Sequence, residues 1–263
     1  MQVFSNKWLF HFSVLPVVVL IFISFLSNAQ VVNIEQTRMV SDSNAWTGKM
    51  DATYQYQDFQ EVLTNASLRL VTQFKSKKYF LLGLCEYSYS GSPQIDYANN
   101  LMMHLRYGIR LRKYTRLEFF HQGQRNPVIG IDWRFLHGVG PRFRIFADSV
   151  WRFHVGTVAM HETERPLSQA FETKGLQRQE WRSSTYINVQ ILKNPVEFSG
   201  TVYYQPLFQF LSDYRFSGQY SFSVKVSRRL SLNLEWTHYY DSKPPNPILN
   251  RFRTFTMGLG YVF

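Results

Sequence analysis

From Trp46 onward, apolar and polar residues alternate with a period of two, the signature of strands that present each face to a different environment. The alternation divides the chain into twelve segments. In the first, Met50, Ala52, Tyr54 and Tyr56 interleave with Lys49, Asp51, Thr53, Gln55 and Gln57. The fourth sets Leu101, Met103, Leu105, Tyr107, Ile109 and Leu111 against His104, Arg106, Gly108, Arg110 and Arg112. The tenth repeats the design, with Phe216, Tyr220, Phe222, Val224 and Val226 opposed to Arg215, Ser217, Gln219, Ser221, Ser223 and Lys225. Sandwich strands are usually about five or six residues long. These segments run to ten or more, the length a tilted strand needs to cross hydrocarbon.

The connections between segments alternate in length. Short ones fall at 75–78, 112–115, 146–149, 193–195 and 227–229, and longer ones near 57–63, 90–99, 123–132, 162–178, 206–213 and 241–251. Tight turns at one end and longer loops at the other are the asymmetry of an up-and-down barrel in a membrane. An even strand number brings both chain ends to the side of the short turns. In lipid an open sheet edge leaves N–H and C=O groups unpaired, so such a sheet has to close on itself. The final stretch, "RTFTMGLGYVF", alternates to its last residue and is read as the closing strand, with Phe263 in an interfacial ring of aromatic side chains. The predicted fold is all-β, a closed antiparallel up-and-down transmembrane β-barrel of about 12 strands over residues 46–263.

The N-terminus changes the picture by adding export. Lys7 precedes the apolar run "VLPVVVLIFISFL" and the small-x-small site Ser27-Asn28-Ala29, so residues 1–29 read as a secretory signal peptide; the alternative is a membrane-anchoring helix. Residues 30–45 read as a short periplasmic leader. A bacterial outer membrane, its lipid in contact with the apolar face, is the location this implies.

Composition then narrows the chemistry. The formal net charge is +11, and residues 1–29 contribute only Lys7 to it. No basic block carries a recognition helix or stacking motif, so nucleic acid is not an expected partner. Cys85 is the only cysteine, which excludes an internal disulfide and a cysteine-built zinc site, and it is most simply a small apolar residue. Aromatic residues make up 17 % of the chain, as expected where rings line two membrane interfaces.

Strand parity turns Lys49, Arg69, Arg106, Arg110, Arg134, Arg142, Arg152, Arg182, Arg215 and Lys225 inward, with Asp51, Glu86, Glu118, Glu162, Glu197 and Glu235. His104 and His154 share the inward parity. These residues either line a lumen that favours small anionic solutes, as charged rings do in selective pores, or pair with each other and plug a narrow barrel.

Several blocks resemble one family of bacterial outer-membrane proteins of unknown function that includes the so-called salt-induced outer-membrane proteins. They are "RLEFFHQ" (116–122), "WRFLHGVGPRFRIF" (133–146), "VGTVAMHETER" (155–165), "YYQPLFQFLSDYRF" (203–216), "LSLNLEWTHYYDSKPP" (230–245) and "MGLGYVF" (257–263). The resemblance implies an outer-membrane barrel and brings no established ligand, cofactor or catalytic residue with it. Pro141 departs from the pattern and points to a bulge or a strand end. The C-terminal pattern, with Tyr261 and Phe263 at alternating positions, resembles the signal by which barrel-assembly machinery recognises its clients.

A non-enzymatic envelope role, as a narrow anion-leaning channel or a structural or stress-related protein, is the leading functional expectation. The alternative is a surface-exposed lipid hydrolase similar to the outer-membrane phospholipase, which uses a serine, a histidine and an asparagine. Here His121, His161 and His238 share the lipid-facing parity, and Ser183 falls on the strand beside His161. The closely spaced histidine-serine pair of that enzyme is missing, since Thr163 stands two residues after His161. The histidines lack the i, i+2 or i, i+4 spacing of a chelate, so no metal is expected. The charged stretch 162–178 reads as a solvated outer loop.

Overall fold

In the computed structural model, residues 38, 45–58, 62–167, 177–227, 230–244 and 250–261 are described. The signal-like segment 1–29, nearly all of the leader and Phe263 lie outside them. Twelve strands follow one another in chain order: β1 (Trp46–Asp58), β2 (Val62–Lys75), β3 (Tyr79–Gly91), β4 (Asp96–Arg110), β5 (Thr115–Asn126), β6 (Ile131–Ala147), β7 (Trp151–Pro166), β8 (Arg178–Lys193), β9 (Val196–Pro206), β10 (Tyr214–Lys225), β11 (Leu230–Asp241) and β12 (Arg251–Tyr261). Each pairs antiparallel with the next, giving one twelve-stranded up-and-down sheet with β1 and β12 at its ends.

The sheet is inside out relative to a water-soluble domain. On β4, Met103 and Leu105 are 52 % and 53 % exposed while Arg106, on the other face of the same strand, is 5 % exposed. The exposed apolar face continues across the sheet through Phe119, Phe135, Val139, Ile187, Phe222, Phe255 and Leu259. Hydrophobic burial cannot place these side chains outside if water is the surroundings, since soluble monomers rarely expose contiguous apolar patches above a few hundred Å².

The sheet curls strongly enough that one interior space is lined by side chains from β4 through β10, including Arg106, Gln122, Arg134, Met160, Ser184 and Arg215. This inner face is packed rather than uniformly polar. Val71, Phe80, Leu82, Leu84 and Met102 form an apolar cluster on β2, β3 and β4. Large rings fold over inner glycines, so that a Cβ at Gly156 would run into the Tyr186 ring and one at Gly138 into Phe120. Glycine is required there because the rings of neighbouring strands occupy the space, a device for bending a sheet tightly.

Two features depart from the sequence reading. The connections at 92–95 and 127–130 are as short as the turn at 111–114, because polar strand ends keep the ladder going: Ser90 pairs with Ala98, and Asn126 with Ile131. The length asymmetry therefore survives at 167–177, 207–213 and 242–250. Gly130, at φ 78°, supplies the left-handed residue that closes the 127–130 turn. Pro141 lies in mid-strand opposite Leu117, and β6 continues past it. The β6–β7 ladder skips Gly140 and Pro141 and resumes in the same register at Arg142 opposite Gly156. The bulges of that ladder sit elsewhere, at Ile131/Trp133 and Arg144/Phe146.

Candidate functional site

The inner face divides into two zones along the strands. Towards the longer connections, arginines and carboxylates from β6, β7, β8, β10 and β11 form one buried cluster. Glu162 of β7 is its centre: Arg134 Nε lies 2.9 Å from Oε1, Arg182 Nε donates to Oε2 at 3.0 Å, and Arg215 Nη1 donates to Oε1 at 2.7 Å. Glu164, next on the same face, accepts from Arg134 Nε at 2.7 Å. Arg182 also donates to Asp213 Oδ1 at 2.9 Å and Glu180 Oε2 at 2.8 Å. Arg215 Nε donates to Asp241 Oδ2 at 2.9 Å, which Tyr239 also engages through its hydroxyl at 3.1 Å. Buried carboxylates are tolerable only when paired and hydrogen-bonded, and here arginine forks meet several oxygens each.

Next along the axis, Arg106 Nη1 donates to Glu118 Oε2 at 3.0 Å, and Arg38 of the leader binds both oxygens of the same carboxylate at 2.9 and 2.7 Å. The Arg38 guanidinium lies 4.5 Å from the Phe80 ring centre, so one leader residue sits inside the curl of the sheet. Arg142 Nε approaches Glu118 at 4.0 Å. His104 bonds Gln122 through Nδ1 at 2.9 Å, and Gln122 bonds Gln124 at 2.8 Å. Between this group and the arginine cluster the free space is about 50 Å³.

Towards the short turns, the interior opens into a chamber of about 400 Å³. Nine arginine and lysine side chains line it, and among the described residues its one carboxylate is Asp148. That carboxylate is occupied, since its Oδ1 accepts from the backbone N–H of Trp151 at 2.6 Å and of Val150 at 2.7 Å. These two bonds hold its pKa below the usual aspartate value.

The residues singled out by parity therefore separate into three groups. Arg106, Glu118, Arg134, Arg182, Arg215 and His104 are buried in the paired zone. Arg110, Arg142 and Arg152 line the chamber. Arg69, Lys225 and Glu235 stand on more open flanks: Arg69 pairs with Glu86 at 3.0 Å, Lys225 with Glu197 at 3.1 Å, and Glu235 accepts from Gln219. Tyr261 belongs to β12, paired through its backbone with Leu230, and Phe263 is outside the described residues. Arg116, Glu164, Asp213, Asp241 and Arg38 were not foreseen. Arg116 and Glu164 carry the parity of Glu118 and Glu162, a signal obscured because each sits at the edge of a stretch that reads as a connection.

On the outer face, cross-strand pairing assembles a row that spacing alone does not reveal. His121 stands opposite His137, with Nδ1 atoms 2.9 Å apart, and His137 stands opposite His161. His161 in turn faces Trp181, ring centres 5.0 Å apart. Ser183 is opposite Ala159, and its hydroxyl lies 3.5 Å from that of Thr185. His238 packs among Phe216, Tyr220 and Trp236. Among the described residues no group of three or more His, Cys, Asp or Glu is placed to hold a metal ion.

No curated protein matches the chain. Among solved structures it is similar to a NanC porin in a rhombohedral crystal form, at 7 % identity and a TM-score of 0.47, covering 83 % of this chain and 98 % of that one. The sequence matches the family described as "Protein of unknown function, DUF481" over residues 31–263, and the chain belongs to that family.

Proposed function

We propose that the protein is a non-enzymatic β-barrel of a Gram-negative outer membrane whose lumen is constricted by its own ion pairs. The outward apolar face is the surface a lipid-embedded barrel needs, and closing β12 on β1 would satisfy the two edges that lipid cannot hydrate. The short turns then face the periplasm and the longer connections the exterior. The observation that carries the constricted reading is the Glu162 cluster: three arginines meet on one carboxylate, and about 50 Å³ of free space remains beside it. A fully hydrated permeant does not pass through a space of one or two waters. Of the two expectations for the inward charges, mutual pairing describes the zone nearer the exterior. Cationic excess describes the periplasmic mouth, so any leak leans towards anions.

The test is conductance of the refolded protein in a planar bilayer. The native chain is expected to be nearly silent. Glu162→Ser combined with Arg182→Ser removes one charge of each sign and widens the constriction, and it is expected to give steady, anion-leaning steps. Large steady steps from the native chain would overturn the proposal.

A further inference from the structure

We infer that the chamber at the short-turn end binds a polyvalent oxyanion of the phosphate type, a conclusion that rests on reading this end as the periplasmic mouth of the barrel. The first observation is register. Arg110 of β4 stands directly opposite Arg116 of β5, and Arg116 stands directly opposite Arg142 of β6. Neighbouring strands lie about 4.8 Å apart, so three arginine positions form a row across three adjacent strands, with Arg142 standing 4.0 Å from Glu118. Like charges directly opposite on a sheet are destabilising. Strand pairing alone does not explain such a row.

The second observation is a shortage of counter-charge at three of the lining cations. Among the described residues, Arg110, Arg116 and Arg152 make no ion pair, and the single carboxylate of the lining is held by its own turn. The third is that two of the lining arginines are held in place by groups other than acids. The Arg116 guanidinium lies 5.8 Å from the Phe80 ring centre, and that of Arg144 lies 5.4 Å from Tyr114 while donating to the Lys113 carbonyl at 2.9 Å. Aromatic faces attract a guanidinium without neutralising it. Arg116 and Arg144 are therefore positioned without being neutralised, as a preformed anion site requires.

The ligand class follows from this geometry. A carboxylate offers two oxygens in one plane and suits a single arginine fork. Arg110, Arg116 and Arg152 bring three such forks from three strands to one chamber, and together they suit an acceptor with oxygens on several sides and more than one charge, which phosphoryl groups provide. The volume, about 400 Å³, falls in the range of small-molecule sites. The phosphate could arrive as a soluble anion or as a lipid headgroup at the mouth, and the two share this chemistry.

Inorganic pyrophosphate is the probe, titrated calorimetrically into the refolded full chain in zwitterionic micelles at low ionic strength. Saturable binding that weakens with added salt is expected. Arg116→Gln combined with Arg152→Gln is expected to weaken it by about tenfold or more, with the heated and unheated forms still separating on a gel. If phosphatidic acid in the micelles competes with pyrophosphate, the inference stands with a lipid-borne phosphate as ligand; if it does not, the inference stands with a soluble anion. Absence of binding by the native chain, or equal binding by the folded double variant, would overturn it. The titration reads binding whether or not the barrel conducts, so an open pore would remove the constricted reading and leave this result interpretable.

Discussion

Glu118 shows how much of the interior depends on single carboxylates. Arg38 and Arg106 both bond it, and Arg142 stands at the edge of ion-pair range. Glu118→Gln keeps the shape and removes the charge that these cations share, and leaving a buried charge without its partner typically costs about 3–5 kcal/mol. The variant is expected to lose its heat-modifiable form at a clearly lower temperature than the native chain. Asp148 gives a pH-dependent counterpart in the 148–150 turn. Its folded pKa is lowered by the Trp151 and Val150 amides, so its stabilisation is complete above the ordinary aspartate value and is lost as pH falls through the lowered one. The native chain should therefore lose more stability on acidification than Asp148→Asn, measured by the same melting assay from neutral pH down to the carboxylate range. Parity singled out Glu118, Arg106 and Arg142 but neither Arg38 nor Asp148, and the partners of all of them depend on curl and register. Arg215 reaches Glu162 from three strands away, a relation that no spacing along the chain encodes.

At the scale of the strand, the sequence is most legible where lipid and lumen demand opposite chemistry, as on β4. It is least legible on β3, where Phe80, Leu82 and Leu84 face inward and are buried, so both faces are apolar and parity carries no signal. Loop lengths were misjudged for a related reason. Residues such as Tyr89 and Asp96 are polar at their tips yet continue the strands, joined by a hydrogen bond of 2.8 Å. The ladder needs backbone groups, and polar side chains do not end it. His137 escaped notice because its partners come from pairing with β5 and β7. A further strand-scale consequence concerns Gly140, where a Cβ would collide with the Thr157 carbonyl and Val158 Cα of β7. Those atoms are backbone and cannot rotate away. Gly140→Ala is expected to cost about 1–3 kcal/mol, the usual range for overpacking, read as a lowered denaturation midpoint of the refolded barrel.

For the whole molecule, the seam between the first and last strands carries the sharpest test. Closure predicts that alternate amides of β12, including those around Met257, exchange with solvent deuterium as slowly as amides in β6. An open edge predicts that every second amide of β12 exchanges rapidly. Mass spectrometry of the refolded chain distinguishes the two. The Glu162 cluster adds a constraint on how the molecule can be put together. Its cations come from β6, β8 and β10, and Asp241 follows on β11. Successive hairpins cannot settle independently in this half of the chain, because Glu162 lacks its full set of partners unless β6, β7, β8 and β10 are all in place. Arg215 acts as a latch: a partly assembled sheet in which β7 and β10 have not both joined retains an under-compensated buried charge, which ties these strands into one cooperative unit.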